Sequence, residues 1–453
     1  MFFPRVSLLA LVLAVVLVSS GQADEAGDIK AIEALGGIVT LDDKQPAKPV
    51  VGIDLSRSST LTSRDLKRVA EFKNLQSLNL DHTYVTDAGL KELKLKELKD
   101  LQTLTLLGAN ISDAGLKELK GLINLQSLDL SYTKITDTGL RDLKELTNLT
   151  ELRLTKTNVT DRALKQIKEL KSLQKLSLAD TSLTDLAIKD IIELQGLTEL
   201  DLSSTKITDR AASGLKHLDG LRGLDLRFTE ITDSALKELK EIEKLEALAL
   251  GYTRVTEGGL REVKTLKDLK SLDLSGRNIT DEGLKQLHDL ANLESLNLIS
   301  TKVTDSGLSE LSNLKNLQRV LLVSTKVQGP GLKYLKDLKR LTSLDLTDTA
   351  VADDGLKELK ELTSLERLSL GHTNITDSAL EEVNHLKQLK ELNLNATAVT
   401  DRGLRQLEDL ENLQALSVIG AKVTLGGVGR LQDARPKLRI DSSYSSPLKR
   451  TSP

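Results

Sequence analysis

The chain of 453 residues contains no cysteine and no tryptophan, and one methionine, its first residue. The absence of cysteine excludes disulfides, thiol nucleophiles, cysteine-ligated metal and a lipidated N-terminal cysteine. Beyond Phe2 and Phe3, the only phenylalanines are Phe72 and Phe228. Neither sign of charge dominates: 63 Lys and Arg stand against 66 Asp and Glu, so no basic face for nucleic acid is implied. Only one apolar run stands out, residues 6–18, and its 13 residues are short of the ~20 that span a bilayer. Chemistry-bearing motifs are missing as well. There is no H-x-x-x-H, no G-x-S-x-G and no P-loop. Of the five histidines, His217, His288 and His385 fall on expected helices. His82 and His372 end strands twelve units apart, too far to share a metal or a proton relay. The sequence therefore predicts no enzyme, no metal and no cofactor.

What the chain has instead is a period. Leucine recurs every 24 residues from Leu101 to Leu413, and Leu75 opens an earlier unit two residues longer. Each unit reads roughly L-x-x-L-x-L-x-x-T-x-I-T-D-x-G-L-K-E-L-K-x-L-x-x, as in residues 125–148. A fixed period of this length marks a solenoid, in which each unit buries its apolar face against its neighbours. The segment L-x-x-L-x-L alternates as a strand does, with Leu125, Leu128 and Leu130 inward. Successive strands must run parallel, because the rest of each unit is the crossover. Thr-Asp before G-L-K-E-L reads as a helix start, where a hydroxyl or carboxylate satisfies free N–H groups. The K-E-L-K helices should present a charged face laced with i,i+4 pairs. The residue before the first helical leucine is Gly or Ala in all fifteen units, from Gly89 to Gly427, which points to a close approach by the neighbouring coil. Strands stack at about 4.8 Å and helices need roughly 10 Å. The expected fold class is thus α/β: a solenoid curved into a horseshoe, with a parallel β-sheet on the concave face and helices on the convex face.

On these residues the chain resembles the leucine-rich repeat family. L-x-x-L-x-L-x-x-[N/C]-x-L is that family's pattern, and I-T-D-x-G-L is similar to its cysteine-containing subclass. Thr takes the Cys/Asn position in twelve of fifteen units; Ala109, Arg277 and Ala421 depart from it. The layout as a whole, including A-I-E-A-L-G-G at 31–37, is similar to secreted bacterial leucine-rich-repeat proteins. The resemblance implies a binding scaffold.

Four segments are expected. Residues 1–23 read as a signal peptide: Arg5, then the apolar run, then small residues before Asp24 and Glu25. Residues 24–72 read as an N-terminal cap and irregular first repeat, with a helix at 26–35 and strands at 38–41 and 50–55. Residues 73–434 form the array of about fifteen units. Residues 435–453 read as a last partial strand at 435–440 and a disordered tail rich in Ser, Pro and basic residues. The period breaks at 91–99, at Gly276-Arg277 and at 328–331.

The outward strand positions escape the repeat's own needs, so binding residues are sought there. One cluster gathers Asp201, Asp225, Arg227, Phe228, Tyr252 and Asp273; exposed aromatics beside Arg and Asp have hot-spot composition. A second, apolar patch comprises Ile299, Leu321 and Val323 with Arg319. The expected function is a secreted, non-enzymatic scaffold that engages a protein partner through its concave face, located outside the cell or in the periplasm or envelope. The alternative is an envelope- or polysaccharide-associated carbohydrate binder. The chain is expected to be a monomer with no nucleic-acid partner and no membrane span once the signal is removed.

Overall fold

In the computed structural model, residues 25–444 are described. The signal-peptide reading of residues 1–23 and most of the tail lie outside them. The chain divides between Lys206 and Ile207 into two compact units. The division falls inside the array, and each unit has its own strand layer backed by helical turns.

The first unit opens with a helix over 25–34, then β1 (Ile38–Leu41) and β2 (Val50–Asp54). These lie within one residue of the helix and strands expected at 26–35, 38–41 and 50–55. β1 runs antiparallel to β2 and covers its open edge. Six parallel strands follow, from β3 (Ser77–Asn79) to β8 (Glu199–Asp201). The second unit has ten parallel strands, from β9 (Gly223–Asp225) to β18 (Arg439–Ser442). The final strand starts later than 435 because residues 435–438 do another job. Arg435 donates to the carbonyls of Glu408, Leu410, Glu411 and Leu413, closing the helical side of the last full repeat. Fold class and repeat layout thus agree with the sequence: a leucine-rich-repeat solenoid.

The core of each unit is the stack of leucines. Leu125, Leu128, Leu130, Leu140, Leu143 and Leu146 are all fully buried, as the alternation requires. Burying each is worth roughly 1.5–3 kcal/mol. The insertion at 91–99 forms an extra helical turn, Leu95–Glu97, entered through Lys94 in the left-handed region at φ 46°. Leu95 and Leu98 both remain buried, so the added residues are absorbed without opening the core.

Two rows of hydrogen bonds hold the leucine stack in register. Thr133 donates its hydroxyl to Leu130 O at 2.5 Å, and the same bond recurs at all twelve threonines of this row, as at Thr229 and Thr397. It satisfies a carbonyl where the strand ends and the chain turns. The second row joins one repeat to the next. The aspartate that opens the helical turn reaches forward in most repeats: Asp113 accepts from Thr136 N at 2.8 Å and Thr136 Oγ1 at 2.6 Å. The same double bond links Asp209 to Thr232, Asp233 to Thr256, Asp281 to Thr304 and Asp377 to Thr400. The sequence pattern had suggested that either residue caps its own helix. Thr does so, with Thr160 Oγ1 accepting from Arg162 N at 3.4 Å, whereas Asp serves the following repeat.

This rung also explains the strict Gly or Ala. A Cβ on Gly115 would lie 2.6 Å from Asp87 Oδ1 and 3.1 Å from Leu90 Cδ1; one on Gly259 would lie 2.6 Å from Asp233 Oδ1. A methyl is admitted by a small shift of the carboxylate, which accounts for alanine in five units. Nothing larger fits. The charged helical face differs from expectation too. Its ion pairs run mostly between successive repeats, as in Lys120–Asp142 at 2.7 Å and Lys240–Glu262 at 2.9 Å. Many of the helical turns span only four to seven residues, too short for an i,i+4 lattice, and the neighbouring repeat is closer.

Two predictions follow from this packing. Gly283→Leu should lower stability by about 1–3 kcal/mol through overpacking. A Cβ there already meets Ile279 Cγ2 at 3.2 Å and Leu260 Cδ1 at 3.3 Å. Lys285→Leu, on exposed surface, should stay within about 0.5 kcal/mol. Equal shifts of the urea midpoint for the two variants would refute the packing account. The second prediction concerns acid. Hydrogen bonds from Thr424 N–H and O–H, with Arg430 nearby, hold the Asp401 carboxyl below its ordinary range. A carboxyl lowered in the folded state stabilises it above the unfolded pKa, and that stabilisation is lost as pH falls through the folded value. Asp401→Ala should therefore be less stable than the wild type at pH 7, and the gap should close below about pH 4. A gap that is constant with pH, read from urea midpoints, would contradict this.

Candidate functional site

Five of the six residues singled out from the sequence meet on the sheet face of the second unit. Strands β9, β10 (Ala247–Ala249) and β11 (Ser271–Asp273) lie side by side, with Asp225, Ala249 and Asp273 in one cross-strand row. Asp201 belongs to β8 in the first unit. There its carboxylate accepts from Ser203 N at 3.0 Å, Ser203 Oγ at 2.7 Å and Ser177 Oγ at 3.0 Å.

The acidic residues have a structural task as well. Asp225 Oδ1 accepts from Arg227 N at 3.0 Å, and Asp273 Oδ1 from Ser275 N at 2.8 Å. Each closes the end of its strand by accepting from the N–H two residues on. Asp225 then grips the Arg227 guanidinium with both oxygens, at 3.0 Å to Nε and 2.6 Å to Nη2. The guanidinium extends across the small Ala249, and its Nη1 comes within 3.7 Å of Asp273. Both outward residues of β10 are alanine, so nothing blocks that path. The sheet here has a low floor spanned by one planar cation that is hydrogen-bonded to Asp225 and within ion-pair range of Asp273.

Phe228 and Tyr252 stand at one rim. Their rings stack in parallel, 4.7 Å between centroids and 5° between planes. Relative exposures of 55% and 45% leave much of both rings in contact with water. The cause of their projection is the backbone. Phe228 has φ 56° and Tyr252 φ 57°, and the eighth residue of every repeat adopts the same left-handed region. That row continues through Gly108, Gly276 and Gly420. The left-handed turn lets Phe228 N donate to Gly251 O at 3.0 Å and Tyr252 N to Ser275 O at 2.7 Å, so it continues the parallel ladder past the strand end.

Gly276 accounts for the second face of Tyr252. A Cβ there would lie 3.2 Å from Tyr252 N and 3.6 Å from Tyr252 Cδ1. With only hydrogen present, the tyrosine leans over the glycine, and its hydroxyl comes 3.4 Å from Ser300 Oγ. The break in the period at Gly276 therefore has a local reason. At the other rim Glu246 joins Arg222 and Lys270, the latter at 2.6 Å. The hydrogen bond from Lys270, followed by that from Arg222, lowers the Glu246 pKa and keeps it ionised.

The apolar patch seen in the sequence is less open. Leu321, Val323 and Ile299 are half-buried, while Arg319 is exposed. Sequence reasoning missed the left-handed row and the low floor. The three glycines in register at 108, 276 and 420 signal the row, and the two alanines of β10 signal the floor. Among the described residues no cluster of His, Asp and Glu could hold a metal ion.

Six segments match the Leucine Rich repeat family, at residues 121–144, 195–216, 265–287, 290–312, 340–360 and 361–383. Among solved structures, an internalin from Listeria monocytogenes is similar at TM-score 0.54 and 24% identity, over 71% of this chain and 88% of that one. A leucine-rich-repeat protein from Leptospira interrogans matches 83% of this chain and 86% of its own length at 24% identity, with TM-score 0.46. The ectodomain of an Arabidopsis thaliana receptor kinase covers 89% of this chain at 16% identity and TM-score 0.43, over 57% of its own length. No curated protein of similar sequence matches the chain. The internalin supports the fold read from the strands: a leucine-rich-repeat solenoid.

Gly276→Ala should cost stability, since φ 113° disfavours any L side chain, and it should displace the Tyr252 ring. The near-ultraviolet circular dichroism of the aromatic pair should change while the far-ultraviolet spectrum holds. An unchanged near-ultraviolet band would argue against the glycine's role in seating the ring.

Proposed function

We propose that the chain is a secreted, non-enzymatic scaffold that binds a protein through the sheet face of its second unit. The carrying observation is the half-exposed Phe228–Tyr252 stack beside the ion-paired Arg227. Hydrophobic bodies with fixed geometry lose little entropy on binding, and Tyr and Arg are enriched among residues that dominate interface energy. Arg227 is prepositioned by Asp225 and Asp273, so a partner meets a planar donor whose side-chain entropy is already lost. The leucine-rich-repeat fold supports the same reading, as such solenoids serve as binding scaffolds. Export rests on the layout of residues 1–23 alone. Among the described residues no helix is long and apolar enough to cross a membrane.

The test is affinity capture with residues 24–453, followed by binding measurements on the protein recovered. Phe228→Ser with Tyr252→Ser should weaken binding more than tenfold, about 1.4 kcal/mol. Serine suits the left-handed row, since the chain places it there at Ser300 and Ser324. The control pair Lys237→Ala and Glu262→Ala, on the helical side, should bind like wild type. If the aromatic pair binds normally and the helical pair does not, the contact face is misplaced. Retention on a glycan matrix with no protein captured would favour a carbohydrate ligand.

A further inference from the structure

The last strand of the second unit is unlike the others. β18 pairs with β17 (Ala415–Val418) along one edge, and among the described residues no strand of its unit pairs with the other. The strand-centre residue shows what is missing. Leu368, Leu392 and Leu416 are at most 2% exposed, whereas the equivalent Ile440 is half-buried. On the helical side Leu425 stands where other repeats carry the rung aspartate, and it is 64% exposed. An open strand edge flanked by apolar residues is a template for another strand.

The sequence of the strand says which one. Arg439 and Asp441 flank Ile440, and both point to the sheet face, where they are exposed and lie 3.7 Å apart. If a second β18 runs antiparallel with Ile440 opposite Ile440, each Arg439 faces the other copy's Asp441. The segment is charge-complementary to itself about a two-fold axis. Backbone direction agrees. Throughout the unit, the N–H groups two and four residues past the strand centre donate to the following strand, as Leu370 does to Asn393 and His372 to Asn395. Alternation therefore turns Ile440's own N–H and C=O to the open edge, where two opposed residues exchange both bonds. Arg439 and Asp441 then occupy the closer, non-hydrogen-bonded positions, where side chains interact best. There is also room. The last helix, Leu425–Ala434, crosses between β17 and β18, so about two strand spacings, roughly 10 Å, separate the two last helices. Two helices side by side need roughly 10 Å.

We infer that the open edge of β18 pairs with a second copy of this chain, giving a two-fold dimer with a continuous sheet across Ile440. This departs from the monomer expected from the sequence, and it uses a surface separate from the aromatic site. β1 also has an outer edge, but its residues Ile38–Leu41 carry no charge to set a register.

The experiment is a charge swap on the full chain, read by sedimentation velocity over a concentration series. The wild type should be a dimer that dissociates on dilution. Arg439→Asp and Asp441→Arg should each weaken the dimer at least tenfold, because each places like charges opposite one another. The double variant R439D/D441R should restore it, since the pairs are re-formed in the reverse sense. Far-ultraviolet spectra and thermal midpoints matching wild type would show that the single variants are folded. A wild type that is monomeric at every concentration overturns the inference. So does a dimer indifferent to the single substitutions, or one that the double variant fails to recover.

Discussion

Most of this structure depends on a single carboxylate that recurs in most repeats. The aspartate at the start of the helical turn accepts from the N–H and O–H of the next repeat's threonine, as between Asp233 and Thr256. Such charge-assisted bonds fix direction as well as distance. They set the offset between coils, and they leave space for no more than a methyl before the following leucine. A leucine core alone specifies apolar volume and tolerates sliding. The rung opposes that sliding, and within each unit neighbouring parallel strands keep one register, β10 and β11 included, where the rung is missing.

Where the rung fails, the surface departs from the repeat. Glu257 replaces aspartate, and Thr280 makes no cap bond with its side chain. The same stretch holds Tyr252, Gly276 and the low floor of β10. At the second interruption, Gln328-Gly329-Pro330-Gly331 surrounds Asp305, which accepts from the N–H groups of Gln328, Gly329 and Gly331 at 2.7–3.0 Å. That carboxylate finds donors in a backbone loop in place of a threonine. The two deviations are thus resolved differently: one is compensated within the backbone, and the other adjoins the aromatic site.

The solenoid and its strand and helix positions were legible in the sequence because a repeat states the same constraint many times. Leu128 is buried for the reason Leu152 is, and each copy reinforces the reading. The small residue before the helical leucine was also visible, though not its cause, since the atom that crowds Gly115 belongs to Asp87 of the preceding coil. The site was only partly legible. Strand alternation placed Asp225, Arg227 and Asp273 on one face and set Phe228 beside Tyr252. It could not show that the aspartates end their strands, nor that Arg227 reaches over Ala249. Those facts depend on side-chain length and on which neighbour is small, and a pattern of letters does not measure distance. The helical surface was misread for a related reason. Charges four apart suggest pairing along one helix, but a turn as short as Asp113–Leu116 lies beside another turn on each side.

The left-handed eighth residue has a wider meaning. At that point the chain asks only for a positive φ, and the side chain itself leaves the repeat. Tyr132 carries Lys156 over its ring at 5.5 Å, and Lys156 in turn meets Asp180 at 3.3 Å; Phe228 stacks on Tyr252; His82 lies against Gly108. Chemistry at this row is therefore uncoupled from folding. Each non-glycine residue there gives up roughly 1–2 kcal/mol to its backbone conformation, and the row nonetheless holds serine, aspartate, histidine, lysine, alanine, phenylalanine and tyrosine. Within each unit the row behaves as a set of sockets open to varied side chains, and new recognition surfaces can arise there without any change to the fold.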